Sequence, residues 1–338
     1  MVAGGRAGDL VRGARRRIRD GLIGSRRGRA DEHAAMASHR FDRRTPWYGD
    51  DVSVPTSRVR DDAELVGHLA AVRGREAELD AVLAVRSTVQ PATLSEHEVE
   101  AFFARGYLVV ERMSSPEELA VVRTIYDTLF EVRAGRAEGL YSDVTAAEHV
   151  ERPVVFPKIH QIYRFAPELV ATGLIANART IARQLFGAQV EFLGGRGMLK
   201  PRFCPGQTPW HQDAAYHRRE LVYRNVNFWF ALQDSHADSG VIEFVPGSHL
   251  GSVVHAHRRP DQGLELSDLS VLHSVVPCPL RAGGATLHHS YLLHHTAPNR
   301  TAAPRRALIA IFGLPPEPRS EPLHFPWQSS SQPGEPGE

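Results

Sequence analysis

The chain has 338 residues, 42% of them hydrophobic, and a formal net charge of +1 at pH 7. That is enough for one sizeable core plus extensions, and no apolar run approaches the length of a membrane span. The two cysteines, Cys204 and Cys278, are too few for a disulfide framework and too far apart for a metal knuckle, so we expect a cytoplasmic protein with reduced thiols.

The first 44 residues hold twelve arginines against five acidic residues. Such an arm could bind nucleic acid or another acidic partner. Aromatic residues that stack on bases are absent until Phe41 and Trp47, which favours a solvated tail. No apolar h-region follows the arginines, so a secretory signal is not indicated. We predict an Arg-rich, partly disordered or helical extension over 1–90.

Helical patterns dominate the chain as far as Gly187. The predicted segments run from Asp61 to Arg86, from Ser95 to Gly106, from Ser115 to Gly135 and from Pro167 to Gly187. Ser95 and Glu98 form a capping box, and Ser115 followed by Pro116 is a typical helix start.

Short β-rich segments separated by Gly, Pro or Asp follow the helices. The predicted strands are Tyr107 to Val110, Val190 to Leu193, Asn225 to Leu232, Val241 to Val245, Val275 to Leu280, Gly284 to His289 and Arg306 to Phe312. In the 225–232 segment, aromatic and aliphatic residues share one face while Asn227 and Trp229 share the other, as in a cavity wall. Helices followed by many strands predict a mainly β domain with α, a barrel or sandwich buttressed by N-terminal helices, over 91–320. A flexible tail over 321–338 follows.

His211 and Asp213 form a His-x-Asp pair. Alternate residues of a strand project to one face, so both side chains can reach one metal ion. Two histidines and one carboxylate are the ligand set of non-haem Fe(II) oxygenases, and His294 is the candidate third ligand. Arg305 precedes an apolar strand. A guanidinium binds a carboxylate bidentately, so a buried Arg305 indicates an acidic co-substrate, whereas the alternative is a surface arginine beside Arg306.

These segments resemble the phytanoyl-CoA dioxygenase family of Fe(II)- and 2-oxoglutarate-dependent oxygenases. The resemblance covers roughly residues 91 to 320 and rests on three motifs. They are Trp210 to Asp213, Gly240 to His249, and Leu293 to Asn299 with Arg305 eleven residues past His294. It implies a double-stranded β-helix, a jelly-roll barrel that can enclose a ligand.

The resemblance also implies the chemistry: His211, Asp213 and His294 hold Fe(II), and O2 oxidises a substrate C–H bond while 2-oxoglutarate becomes succinate and CO2. Halogenating relatives lack the carboxylate, so Asp213 favours hydroxylation, with desaturation or ring closure as variants.

Five further positions belong to the 2-oxoglutarate pocket that the resemblance implies. Arg305 would bind the distal carboxylate, assisted by Thr296 where the family usually has a serine. Gln212 and Trp229 match positions that line the pocket. Lys158 matches, by order and distance, a lysine with which some members contact the co-substrate.

The distal ligand could be His294 or His295, because the family commonly has glycine where this chain has His295. The spacing to Arg305 favours His294. We expect the remaining histidines of the strand region to be core or surface residues rather than ligands, although any could face substrate. They are His217, His236, His273, His288 and His289.

The segment from Tyr216 to Arg224 is predicted to form a lid, and its three arginines indicate a small-molecule substrate that is anionic or polyhydroxylated. A solvated charged loop is the alternative. Two other functions remain open: a cupin-like Zn2+ or Mn2+ isomerase or hydrolase that does not use 2-oxoglutarate, and a non-catalytic binding module with a basic arm.

Overall fold

The computed structural model describes residues 76–145, 154–253, 256–258 and 264–325. Its α-helices are α1 (Glu76–Arg86), α2 (Glu96–Arg105), α3 (Pro116–Glu131), α4 (Ile162–Phe165) and α5 (Gly173–Phe186). Most of the predicted N-terminal extension, residues 1–75, and most of the predicted tail, residues 326–338, lie outside the described residues. Within the described ranges, no helix is long and apolar enough to cross a membrane.

Two antiparallel sheets form the domain. In spatial order, the larger sheet consists of β1 (Tyr107–Val110), β12 (Ala285–His289), β7 (Asn225–Ala231), β14 (Arg305–Gly313), β4 (Glu191–Lys200), β3 (Pro157–His160) and β2 (Tyr141–Asp143). The smaller sheet consists of β11 (Val276–Pro277), β8 (Ile242–Phe244), β13 (His294–Thr296) and β5 (Thr208–His211). Two short ribbons pair β9 (Ala256–Arg258) with β10 (Leu264–Leu266), and β6 (Leu221–Val222) with β15 (Glu317–Pro318).

The larger sheet is covered on both faces. On its outer face Phe228 and Phe230 belong to the core shared with the helices, where Tyr126 of α3 is fully buried. On its inner face Trp229 shares a second core with Phe244 of the smaller sheet. Burying one such aromatic side chain stabilises the fold by about 1.5–3 kcal/mol. The predicted jelly-roll architecture with helical support is confirmed, and both faces of β7 are buried as a cavity wall requires.

Strand β4 is longer than predicted. The run Gly194, Gly195 and Gly197 indicated a break, because glycine weakens a strand. Because glycine has no Cβ, neighbouring elements can pack closely against this strand. A Cβ at Gly195 would overlap the Ile309 carbonyl oxygen, and one at Gly197 would crowd helix α4. The strand therefore continues to Lys200 beside β14.

The predicted helices hold with two differences over the described residues, which include only Glu76–Arg86 of the helix predicted from Asp61 to Arg86. The capping box of Ser95 and Glu98 opens α2, and Ser115 caps α3, but α3 ends at Glu131 rather than near Gly135. The segment predicted as one helix from Pro167 divides into a 3-10 helix, Pro167–Ala171, and α5, because Thr172 is extended and caps the Ile175 amide.

Candidate metal centre and co-substrate pocket

Three predicted metal ligands converge at one end of the smaller sheet. His211 ends β5 and is the cross-strand partner of His294, the first residue of β13. The sequence predicted that Asp213 shares a strand with His211. Asp213 instead begins the 3-10 helix Asp213–Tyr216. The turn still brings them together: His211 Nε2 lies 3.7 Å from Asp213 Oδ1, and His294 Nε2 lies 3.9 Å from Asp213 Oδ2. One ligand atom from each residue lies within 4.8 Å of the others.

The two histidines have the same orientation and protonation. His211 Nδ1 lies 2.8 Å from the Pro209 carbonyl and His294 Nδ1 lies 2.9 Å from the Leu292 carbonyl. A carbonyl only accepts, so each Nδ1 carries the proton and each Nε2 presents a lone pair to the centre. Burial lowers the pKa of both imidazoles, most strongly that of His294. Neutral imidazole is the form that binds a metal.

His295 points away from the centre. It is the next residue along β13, so its side chain lies on the opposite face. Its Nε2 lies 3.0 Å from Glu243 Oε2, and its ring stacks on Trp210 with centroids 4.3 Å apart. Of the two candidate distal ligands, only His294 lies in the cluster.

Asp213 is held by three side chains of the larger sheet. Asn227 donates to Oδ2 at 2.9 Å, Arg196 donates to Oδ1 at 3.3 Å, and His288 Nε2 lies 3.5 Å from Oδ2. Burial alone would raise the pKa of Asp213, but the neighbouring His288, His294 and Arg196 outweigh it and hold the pKa well below the ordinary value. The carboxyl is therefore ionised and fixed in orientation.

This donor set fits a divalent metal. Donors bound to one ion at ~2.1 Å are at most about 4.2 Å apart, which the two separations from Asp213 satisfy. Contacts from Asn227 and Arg196 supply the outer support that metal-binding carboxylates need. The centre therefore requires only a small adjustment to close around a metal.

Arg305 lies on the inner face at the first position of β14. It is 1% exposed, and all three guanidinium nitrogens lack a hydrogen-bond partner among the described residues. Its Cζ lies 5.3 Å from the ring centroid of Trp229 and 5.9 Å from that of Phe156. Burial lowers the pKa of Arg305 to about 10, so the group stays cationic at neutral pH. A buried unpaired cation is costly, so this pocket fits an anionic ligand. Arg306, by contrast, pairs with Asp127 at 2.6 Å.

Lys200, the cross-strand partner of Arg305, is a second buried basic side chain whose contacts the sequence did not reveal, and burial beside Arg305 lowers its pKa well below the ordinary value. Its Nζ donates to the Thr296 carbonyl at 3.0 Å, to Thr296 Oγ1 at 2.9 Å and to the Ala297 carbonyl. Thr296 Oγ1 in turn donates to Thr208 Oγ1 at 3.1 Å. Lys200 thus fixes the Thr296 hydroxyl. The hydrogen-bond chain that runs from Lys200 through Thr296 ends at the Thr208 hydroxyl, beside the pocket.

The other predicted pocket residues are placed differently. Trp229 lines the pocket through its contact with Arg305. Gln212 is buried and donates to the Tyr291 carbonyl at 2.6 Å, so part of its amide holds the backbone. Lys158 lies on β3 and is separated from β14 by β4.

Sequence reasoning assigned no role at the metal centre or the co-substrate pocket to Arg196, Asn227, His288 and Lys200, although it placed Asn227 on a cavity wall and allowed His288 to face substrate. One signal was available for three of these residues. Asn227 shares a strand face with Trp229, His288 with Thr286, and Lys200 with Met198, and these faces point into the barrel. Arg196 was hidden by the glycine run that masked its strand.

Known proteins of one family resemble this chain in sequence. The family profile for phytanoyl-CoA dioxygenase (PhyH) matches residues 102–307, more than half of the chain. The phytanoyl-CoA dioxygenase domain-containing protein 1 of Danio rerio is 23% identical over 255 residues, covering 63% of this chain and 87% of the relative. The ectoine dioxygenase of Streptomyces anulatus is 23% identical over 256 residues, covering 70% of this chain and 84% of the relative.

Among solved structures, EvdO2 from Micromonospora carbonacea var. aurantiaca superposes with a TM-score of 0.60 at 29% identity, covering 71% of this chain and 98% of EvdO2. The same enzyme complexed with 2-oxoglutarate matches at a TM-score of 0.60 and 28% identity. With the profile match, this places the chain in the phytanoyl-CoA dioxygenase family of Fe(II)- and 2-oxoglutarate-dependent dioxygenases.

Proposed function

We propose that the chain hydroxylates a C–H bond of a small-molecule substrate, with His211, Asp213 and His294 as the ligands of Fe(II). When bound, iron activates O2 for this oxidation while 2-oxoglutarate is decarboxylated to succinate and CO2. The observation that carries the proposal is the convergence of three buried donors with a buried, unpaired guanidinium. Desaturation or ring closure requires only a different substrate pose.

Each side chain at the metal centre has its own role in orienting the ligands. His211 and His294 present neutral Nε2 atoms because their Nδ1 atoms face backbone carbonyls. Asn227 and Arg196 hold the Asp213 carboxylate so that it does not rotate away. Ligands whose side chains are fixed in this way keep the reacting atoms in one geometry.

Arg305 orients the co-substrate by its far carboxylate. Two parallel charge-assisted hydrogen bonds from the guanidinium fit a carboxylate, and the surrounding Trp229 and Phe156 rings exclude water. Lys200 positions the Thr296 hydroxyl beside this pocket. We assign Lys158 a weaker role at the pocket edge, because its strand is not adjacent to β14.

Arg305 also argues against a cupin-like Zn2+ or Mn2+ hydrolase, since hydrolysis at a metal does not require a buried guanidinium without a protein partner. The substrate is a small molecule, and we propose that it is polar rather than an apolar chain. Support comes from the polar side chains that line the barrel beyond Asp213, such as Asn227 and His288.

The test is an anaerobic titration of the purified protein with Fe(II) and 2-oxoglutarate, followed by exposure to O2. We expect one iron and one 2-oxoglutarate per chain, and succinate formation that depends on O2. A protein that binds iron but shows no measurable affinity for 2-oxoglutarate would favour the cupin-like alternative.

A further inference from the structure

Four buried polar side chains lie together inside the barrel beside the metal centre. Asn225 and Asn227 belong to β7, His288 belongs to β12, and Ser290 follows β12 directly. Asn227 is the cross-strand partner of His288, and continuing this register brings Asn225 next to Ser290. The exposed fraction is 1% for Asn225, 0% for Asn227, 4% for His288 and 0% for Ser290. We call these four residues the polar patch.

The polar patch contains atoms that no protein group satisfies. Both amide atoms of Asn225, Oδ1 of Asn227, Nδ1 of His288 and Oγ of Ser290 lack a hydrogen-bond partner in the part of the chain that the structure describes. A buried polar atom without a protein partner costs free energy unless an ordered water or a ligand satisfies it, so a cluster of such atoms beside a metal centre is suited to bind a polar ligand. Arg305 carries the same signature in the co-substrate pocket.

The polar patch lies on the side of the metal centre away from Arg305. Asn225 is the cross-strand partner of Gly313, the last residue of β14. Gly313 lies eight residues, or about 26 Å, along that strand from Arg305. Asp213 lies between these ends, since it contacts Asn227, the partner of Ile311. The co-substrate takes the Arg305 side, which leaves the polar patch to the substrate.

The chemistry of the polar patch indicates the substrate class. The amides of Asn225 and Asn227 and the hydroxyl of Ser290 are uncharged and both donate and accept hydrogen bonds. Hydroxyl groups of a ligand match them, whereas a carboxylate or phosphate only accepts and an apolar chain does neither.

The charged residues of the predicted lid do not favour an anion. Arg219 pairs with Glu220 at 3.0 Å, Arg218 lies 3.9 Å from the same carboxylate, and Arg224 pairs with Glu317 at 3.4 Å. These arginines are largely exposed, so acidic neighbours and solvent already balance their charge.

We infer that the polar patch recognises a neutral, polyhydroxylated substrate of the sugar or cyclitol class and holds it against the metal centre. The inference rests on the proposed function, which supplies the co-substrate on the other side. A site built from paired hydrogen-bond groups discriminates strongly against ligands that lack the matching hydroxyls.

The binding test uses matched probes with the anaerobic protein loaded with Fe(II) and 2-oxoglutarate, measured by saturation-transfer NMR. The pairs are myo-inositol with cyclohexanol, and methyl glucoside with glucose 6-phosphate. We expect the neutral polyol of each pair to bind at least about tenfold more tightly. Asn225→Leu should weaken polyol binding at least about tenfold, while Thr180→Ala on exposed α5 surface should not change it.

A second test needs no ligand. Because the Asn225 amide has no partner in the described part of the chain, Asn225→Leu should leave the melting temperature unchanged or raise it. The matched control is Asn177→Leu: the Asn177 amide accepts from Ala92 and donates to the Gln90 and Met113 carbonyls, so this variant should melt several degrees lower.

Three results would overturn the inference: tighter binding of cyclohexanol or glucose 6-phosphate, no binding of either polyol at millimolar concentration, or equal destabilisation by Asn225→Leu and Asn177→Leu. A wild-type protein that binds 2-oxoglutarate but no polyol overturns the inference alone. A protein that binds no 2-oxoglutarate overturns the proposed function as well.

Discussion

Replacing Arg305 by methionine tests whether the buried guanidinium exists for the co-substrate. A hydrogen bond to a charged group contributes about 1.5–3 kcal/mol, and a carboxylate takes two of them from one guanidinium. Losing both should cost 2-oxoglutarate at least about 3 kcal/mol, which is a 100-fold or greater rise in Kd. Because no group among the described residues pairs with Arg305, its removal should not lower the melting temperature.

Arg306→Met is the matched control. Arg306 is the next residue along β14 but faces outward and forms a bidentate pair with Asp127. Its removal should leave the 2-oxoglutarate Kd within about threefold and lower the melting temperature slightly. Both Kd values can be measured by anaerobic calorimetry. A Kd in Arg305→Met equal to that of the wild type, or a large loss of stability, would refute the assignment of Arg305 to the co-substrate.

Three further predictions concern the metal centre and the helical layer. His294→Ala should abolish stoichiometric Fe(II) binding in an anaerobic titration, whereas His295→Ala should preserve it; the reverse outcome would exchange the two residues. Asn227→Leu should weaken Fe(II) binding about 10–100-fold with little change in fold by circular dichroism, and unchanged affinity would remove Asn227 from the support of Asp213. Burial raises the pKa of Glu118, and this effect outweighs the lowering of the pKa by hydrogen bonds from Ser114 and the α5 amides. Because the folded pKa lies above the unfolded one, stability falls as pH rises from ~4.5 through the raised value. Wild type should therefore lose stability relative to Glu118→Gln over that range in denaturant titrations, and parallel curves would contradict the shift.

Some strand faces of the barrel could be predicted from sequence because the outer face packs in an apolar core while the inner face carries polar side chains, and this difference leaves a period of two along the strand. The pattern in 225–232 placed Trp229 inside, and it lies beside Arg305. The metal ligands could be proposed because His211, Asp213 and His294 stand in motifs that resemble a known family. Their meeting in space has now been observed, while their binding of iron remains a prediction.

Other features could not be predicted because they depend on contacts between distant segments. Glycines in β4 indicated a break, yet they permit close packing against Ile309. Thr172 interrupts a segment with uniform helical periodicity because it caps α5. The strand face of Lys200 indicates that it points into the barrel but not what it binds, since its three acceptors come from Thr296 and Ala297, almost a hundred residues away.

The most direct measurement is the visible charge-transfer absorption that arises when a 2-oxo acid chelates ferrous iron in the same site. The wild type should develop this band anaerobically with one equivalent each of Fe(II) and 2-oxoglutarate. His211→Ala should lack it, and Arg305→Met should require far more 2-oxoglutarate to reach it. An equal band in His211→Ala, or none in the wild type, would contradict a single centre built from these residues.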